Sequence, residues 1–185
     1  MKTFLVAFVL STLSAVFALS GLPFQALAAG QTYQFLKSNN HVNWTAIGTP
    51  GFLRINGSGG AAEGKIDVTD SKASGSLSVK LADYTTGLDL RDHHMKEKFL
   101  ETNKFPTATL LINAQAFTPG KESTISGDLT IKGATKPVKV AFTLSGKSLS
   151  AKFKLSIKDY PAIGVPSHLG VTVADEVGVT VDASL

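Results

Sequence analysis

From Leu149 to Lys158 the chain reads LSAKFKLSIK. Leu149, Ala151, Phe153, Leu155 and Ile157 alternate with Ser150, Lys152, Lys154, Ser156 and Lys158. Successive side chains of a strand point to opposite faces, so this segment has one dry face and one wet face. That pattern belongs to antiparallel sheet with a solvated side, not to parallel sheet buried on both sides. The same period recurs at Val138, Val140, Phe142 and Leu144, at Val177, Val179 and Val181, and at Leu77, Val79 and Leu81. Shorter runs are Tyr33 with Phe35, Val42 with Trp44, Ile66 with Val68, then Ala108, Leu110 and Ile112, then Ile125, Leu129 and Ile131. Turn formers separate them at Pro50-Gly51, Gly57-Ser58-Gly59-Gly60, Pro119-Gly120 and Ser145-Gly146-Lys147. Roughly eight to ten strands at this spacing predict an all-β antiparallel sandwich or barrel. Lysines on the polar positions keep the outer face soluble and discourage edge pairing.

The N-terminus is of another kind. Lys2 precedes an uncharged apolar run from Thr3 to Leu19, then Gly21, Pro23 and the small-residue pattern Ala26-Leu27-Ala28. This predicts a secretory signal peptide over residues 1–29, cleaved before Ala29 or Gly30. A membrane anchor is the alternative, but the run is short for a span and no stop-transfer charges follow. Residues 30–185 then form one domain, long enough to bury a core without staples. The chain has no cysteine, which excludes a disulfide framework and suits a periplasmic or secreted protein of this size. The 18 basic and 14 acidic residues are spread along the strands without a concentrated basic patch, which argues against a nucleic-acid partner.

Two stretches break the alternation. Asp159 to Asp175, rich in Gly and Pro, reads as a long loop at one end of the fold. Leu90 to Leu110 (LRDHHMKEKFLETNKFPTATL) gathers charge around Met95, Phe99, Leu100 and Phe105. Arg91 to Leu100 predicts a short helix with Met95 and Phe99 on one face, Asp89 as its cap, and an end at Asn103 before Phe105-Pro106. His93 and Glu97 also share a helical face. A catalytic zinc would need three protein ligands, so His41 or His168 would have to join them. Adjacent His93 and His94 diverge on a helix, and a solvated polar face with local ion pairs is the favoured reading. There is no G-x-S-x-G elbow and no thiol, so nothing assembles a nucleophilic triad. Asp175-Glu176 reads as a solvated turn, Arg91-Asp92 as a structural or capping pair rather than a head-group site, and Gly57–Gly60 as a flexible hairpin rather than a phosphate loop. The dry faces, with Phe35, Trp44, Leu129, Ile131, Phe142, Phe153 and Ile157, line the interior. A barrel of about eight strands is either filled by its side chains or holds one small ligand.

Three ordered segments resemble one family. LRDHHMKEKF followed by KFPTATL, SGDLTIKGATKPVKVAF (Ser126 to Phe142) and GVTVADEVGVTVDASL (Gly170 to Leu185) are similar to the signatures of the YceI-like, polyisoprenoid-binding secreted proteins. The region from His41 to Ile66 agrees more loosely, through Trp44, Gly48 and Phe52. The resemblance implies an antiparallel lipocalin-like β-barrel of about eight strands with a short helical insertion. It also implies an elongated apolar tunnel holding an isoprenoid, an isoprenoid quinone or another long-chain lipid. The expectation is thus a periplasmic or secreted binding protein, carrier or store, with no enzyme activity, cofactor or metal. Its expected ligand-binding residues are Trp44, Phe52, Met95, Phe99, Phe105, Leu110, Ile112, Leu129, Ile131 and Phe142. Transient membrane contact and a homodimer complete the expected partners. A filled barrel acting as a stress-related interaction protein, and a metal-dependent enzyme using His93, His94 and Glu97, are the alternatives.

Overall fold

The computed structural model describes residues 30–50, 53–168 and 170–185. The leader read over residues 1–29, Gly51 and Phe52 lie outside the described residues. The alternating segments form eleven strands: β1 (Gln31–Phe35), β2 (Asn40–Thr49), β3 (Leu53–Gly60), β4 (Ala62–Thr69), β5 (Lys72–Lys80), β6 (Thr107–Ala116), β7 (Ser123–Ile131), β8 (Ala134–Ser145), β9 (Ser148–Ser156), β10 (Ser167–His168) and β11 (Val171–Ser184). Among the described residues all pairings are antiparallel, in the order β1-β4-β5-β6-β7-β8-β9-β11-β2-β3, with β10 beside β11. The sheet curls into a half-barrel with its dry face inward. On β8, Val138, Val140, Phe142 and Leu144 are buried, and on β7 so are Ile125, Leu129 and Ile131. These are the alternate positions that the sequence pattern selects.

Local turn chemistry fixes the register of the hairpins. β7 and β8 are joined by Lys132-Gly133 with Ile131 opposite Ala134, and both turn residues have positive φ (50° and 78°). A type I′ turn needs this, and its twist matches that of the strands. Asp70-Ser71 turns β4 into β5 in the same way, with φ of 51° and 57°. Gly146-Lys147 joins β8 to β9, with Ser145 opposite Ser148.

The two ends of the sheet meet along a seam that no strand ladder closes. The chain runs from β3 into β4 through Ala61 alone, so it passes from one end of the sheet to the other in a single bend. Across that bend Asn40, fully buried at the start of β2, donates from Nδ2 to the Ala62 carbonyl (2.8 Å). Its Oδ1 accepts from the Ala62 N–H (2.6 Å). One side-chain amide thereby satisfies both buried polar groups of a backbone unit. Further along, Ser58 and Thr85 exchange backbone hydrogen bonds of 2.9 Å, tying β3 to the segment after β5. Gln115 plays a similar part where the β6–β7 ladder stops, bonding both backbone groups of Ser126.

The insertion between β5 and β6 is helical but differs from the expected single α-helix. It is one turn of α-helix, α1 (Asp89–His93), continued as a π-helical turn from His94 to Phe99. Leu88, not Asp89, occupies the N-cap position, and no side chain caps there. Asp92 instead braces the approach. It accepts from the Thr85 hydroxyl (2.5 Å), the Thr86 N–H (2.7 Å) and the Thr86 hydroxyl. Arg91 donates from Nε to the Thr86 hydroxyl and from Nη2 to the Thr86 carbonyl, both at 2.7 Å. Arg91 and Asp92 thus tie the start of the insertion back to Thr85 and Thr86.

Two other expectations are corrected. The stretch from Asp159 to Asp175 is not one long loop. It starts at the end of the 3₁₀ turn Ile157–Asp159 and contains a second at Pro161–Ile163, the short β10 and the first residues of β11. Asp175 is not a solvated turn residue. It lies within β11, in the stretch where the β2 pairing shifts register between Val173 and Val177. Its carboxylate accepts from the Ser156 hydroxyl and the Lys158 N–H at 2.9 Å. The Lys158 N–H, with help from Ser156 and the Lys158 charge, holds this carboxyl below its ordinary pKa.

Candidate functional site

The inward side chains do not fill the half-barrel. They enclose a cavity of about 750 Å³, within the range of ligand-binding pockets. Its walls are Leu77 and Val79 of β5, Ala108 and Leu110 of β6, Leu129 and Ile131 of β7, Phe153 and Leu155 of β9, and Val173, Val177, Val179 and Val181 of β11, with Val42, Trp44 and Ala46 of β2. The insertion supplies the roof through Met95, Phe99 and Leu100. The few polar contributors, Thr86, Asp89, Arg91, His94 and Ser167, come from the insertion, its approach and β10, so polarity is confined to one end. Leu53, Leu88 and Leu90 line that end while half or more exposed, at 50%, 58% and 59%.

The aromatic corner of the cavity explains the glycine run from Gly57 to Gly60. These residues are not a flexible hairpin but the second half of β3. A Cβ on Gly57 would stand 2.0 Å from the Trp44 ring, and one on Gly60 would stand 2.3 Å from the Tyr84 ring. The two rings meet edge to face, 6.5 Å apart. The glycines therefore vacate the space in which Trp44 and Tyr84 lie against the backbone. Burial pushes the Tyr84 phenol well above its ordinary pKa, so it stays neutral.

The roof is fastened by Lys132, whose side chain is only 6% exposed. Its ammonium donates to the carbonyls of Phe99 (2.9 Å) and Ala162 (2.6 Å) and pairs with Glu101 at 3.1 Å. The ion pairs with Lys132 and Lys104 lower the Glu101 pKa. A turn residue of β7–β8 thus joins the end of the helical insertion to the 3₁₀ turn at Pro161–Ile163. Ile163 of that turn also lines the cavity.

The expected binding residues divide by place. Trp44, Met95, Phe99, Leu110, Leu129 and Ile131 line the main cavity. Ile112 and Phe142 line a smaller one of about 70 Å³ deeper in the barrel. Phe105 lines neither; it is half-buried, with its ring 3.7 Å from where a Cβ on Gly133 would stand. It follows the turn that ends the insertion, with its N–H bonded to the Glu101 carbonyl. Phe52 lies outside the described residues. The list omitted Leu77, Val79, Phe153, Leu155 and the β11 valines, although their alternation was legible. His93 and His94 part company. His93 pairs with Glu97 at 3.2 Å on the exposed face, whereas His94 faces the polar end of the cavity. Among the described residues, no group of three or more His, Asp or Glu side chains converges as a metal site would require.

A curled antiparallel half-barrel around an apolar cavity that is polar at one end is the architecture of a small-ligand binding fold. The model of the YceI-like domain matches residues 33–185, and the chain belongs to that family. A UPF0312 protein of Pseudomonas putida (strain W619) is 30% identical over 145 residues, covering 73% of this chain and 75% of the relative. Among solved structures, BcnA of Burkholderia cenocepacia is similar with a TM-score of 0.61 at 18% identity, over 80% of this chain and 97% of that one. A polyisoprenoid-binding domain from Saccharophagus degradans, implicated in plant cell wall breakdown, gives 0.59 at 14% identity, over 83% and 98%. These likenesses establish the lipocalin-like architecture.

Proposed function

We propose that the protein binds a long-chain apolar lipid, an isoprenoid or isoprenoid quinone, with the tail in the main cavity and the head group at its polar end. The observation that carries this reading is the cavity itself. A void of about 750 Å³ walled by aliphatic and aromatic side chains is costly to leave unfilled. It has few partners for water, and its lining forgoes dispersion contacts. An apolar tail supplies those contacts, with about 25 cal/mol per Å² of apolar area withdrawn from water. The same void speaks against a filled barrel that works only through its outer surface. The name of the Saccharophagus domain supports the ligand class.

The protein acts in this reading as a binding protein rather than a catalyst, exported to the periplasm by its N-terminal leader. In this reading the exposed Leu53, Leu88 and Leu90 at the mouth would touch the membrane from which a lipid is loaded, since an apolar tail crosses less water when the rim meets the bilayer. The deciding experiment is native mass spectrometry of detergent-free protein purified from its own host, followed by organic extraction. A stoichiometric lipid bearing a long apolar chain is the expected result. Repeated recovery of none, together with no saturable uptake of prenyl alcohols, would overturn the reading.

A further inference from the structure

The interior is two spaces in line. Beyond the main cavity, toward the Leu185 end of β11, lies the second cavity of about 70 Å³. Four residues line both: Leu77, Leu110, Phe153 and Val181. Leu77 and Leu110 are cross-strand partners on β5 and β6. Phe153 and Val181 come from the paired strands β9 and β11. β7 and β8 separate the two pairs around the sheet, so the partition is built from opposite walls. Phe117 and Phe142, with ring centroids 5.4 Å apart, also line the far cavity.

We propose that this four-residue ring is a neck that sets the length of apolar tail the protein accepts, with Phe153 as its principal specificity-determining residue. The inference rests on the lipid-binding reading and adds a length limit to it. Each methylene that enters apolar space raises affinity about four-fold, the equivalent of about 0.8 kcal/mol, and one left in water adds nothing. Affinity should therefore climb with tail length until the tail end meets the neck, and then level off. Phe153 is the largest of the four and only half-buried, so trimming it opens the partition more than trimming any other member. The far chamber is small and apolar, so it would admit the end of a tail but no head group.

The test uses the full chain and a graded series of prenyl alcohols, read by displacement of an environment-sensitive fluorescent fatty acid. The unsubstituted protein should show a rise and a plateau. Phe153→Ala should move the plateau to longer tails, with affinity for tails beyond the old limit raised about four-fold for each methylene newly admitted. Phe153→Leu gives a milder opening should the alanine variant fold poorly. Adding Ala151→Leu, which narrows the far chamber, should cancel the shift while leaving short tails unaffected. A plateau that stays in place in both Phe153 variants would overturn the neck and leave lipid binding standing. No uptake of any tail by the unsubstituted protein would overturn both.

Discussion

Asn40 shows how much one residue carries where the ladder fails. It is buried to 1% exposure and bonds both polar groups of Ala62 and the Leu36 carbonyl. Replacing it with alanine leaves a buried N–H and a buried carbonyl without partners, each costing about 1–3 kcal/mol. Asn40→Ala should lose about 3 kcal/mol in urea unfolding. Asn40→Asp, which keeps the acceptor but not the donor, should recover part of that loss. Equal stability of wild type and Asn40→Ala would mean that the seam is held elsewhere. Nothing in the sequence around Asn40 separates it from neighbouring Asn39. Its role exists only because the curl brings Ala62 opposite it.

At the scale of the element, the insertion is held at both ends by charge-assisted bonds. At the start, Asp92 accepts from Thr85 and Thr86; burial opposes its ionisation, but those bonds outweigh the burial and lower its pKa. A carboxyl whose folded pKa lies below its unfolded value of about 3.9 stabilises above that pH, and the contribution fades as pH falls through the folded value. Asp92→Asn should therefore be less stable than wild type at neutral pH, with the gap closing under acid. A gap constant from neutral pH to pH ~2 would show that the charge is immaterial. At the far end, Lys132→Met removes the donor to Phe99 and Ala162. It should cost about 2 kcal/mol and speed amide exchange from Lys96 to Leu100. Unchanged exchange there would remove Lys132 as the fastener. The sequence showed the amphipathic pattern that sets Met95 and Phe99 inward. It did not show the π-helical turn from His94 to Phe99 that follows α1. Nor did it show that Lys132, in the β7–β8 turn, is buried.

Over the whole molecule, a ligand held in the main cavity would change the thermal stability. A ligand that binds only the folded state stabilises it by RT ln(1 + [L]/Kd), about 2.7 kcal/mol at a hundred times Kd. Saturating prenyl alcohol should raise the thermal midpoint in proportion to the logarithm of its concentration. An unmoved midpoint at saturation would contradict binding in the interior. The alternation of small and large apolar residues did not distinguish a hollow barrel from a packed one. Both need the same inward faces, and volume depends on how tightly the sheet curls. What the sequence by itself determined is the sheet, its antiparallel pairing, the turns at Pro119-Gly120 and Gly146-Lys147 and the side of each strand that faces inward, because period-2 alternation and turn chemistry are local. The tertiary structure alone decided the seam at Asn40, the room that Gly57 and Gly60 leave for Trp44 and Tyr84, the latch at Lys132 and the division of the interior at Phe153. Each of these depends on the distance between residues far apart in the chain, and that distance is set only when the sheet curls.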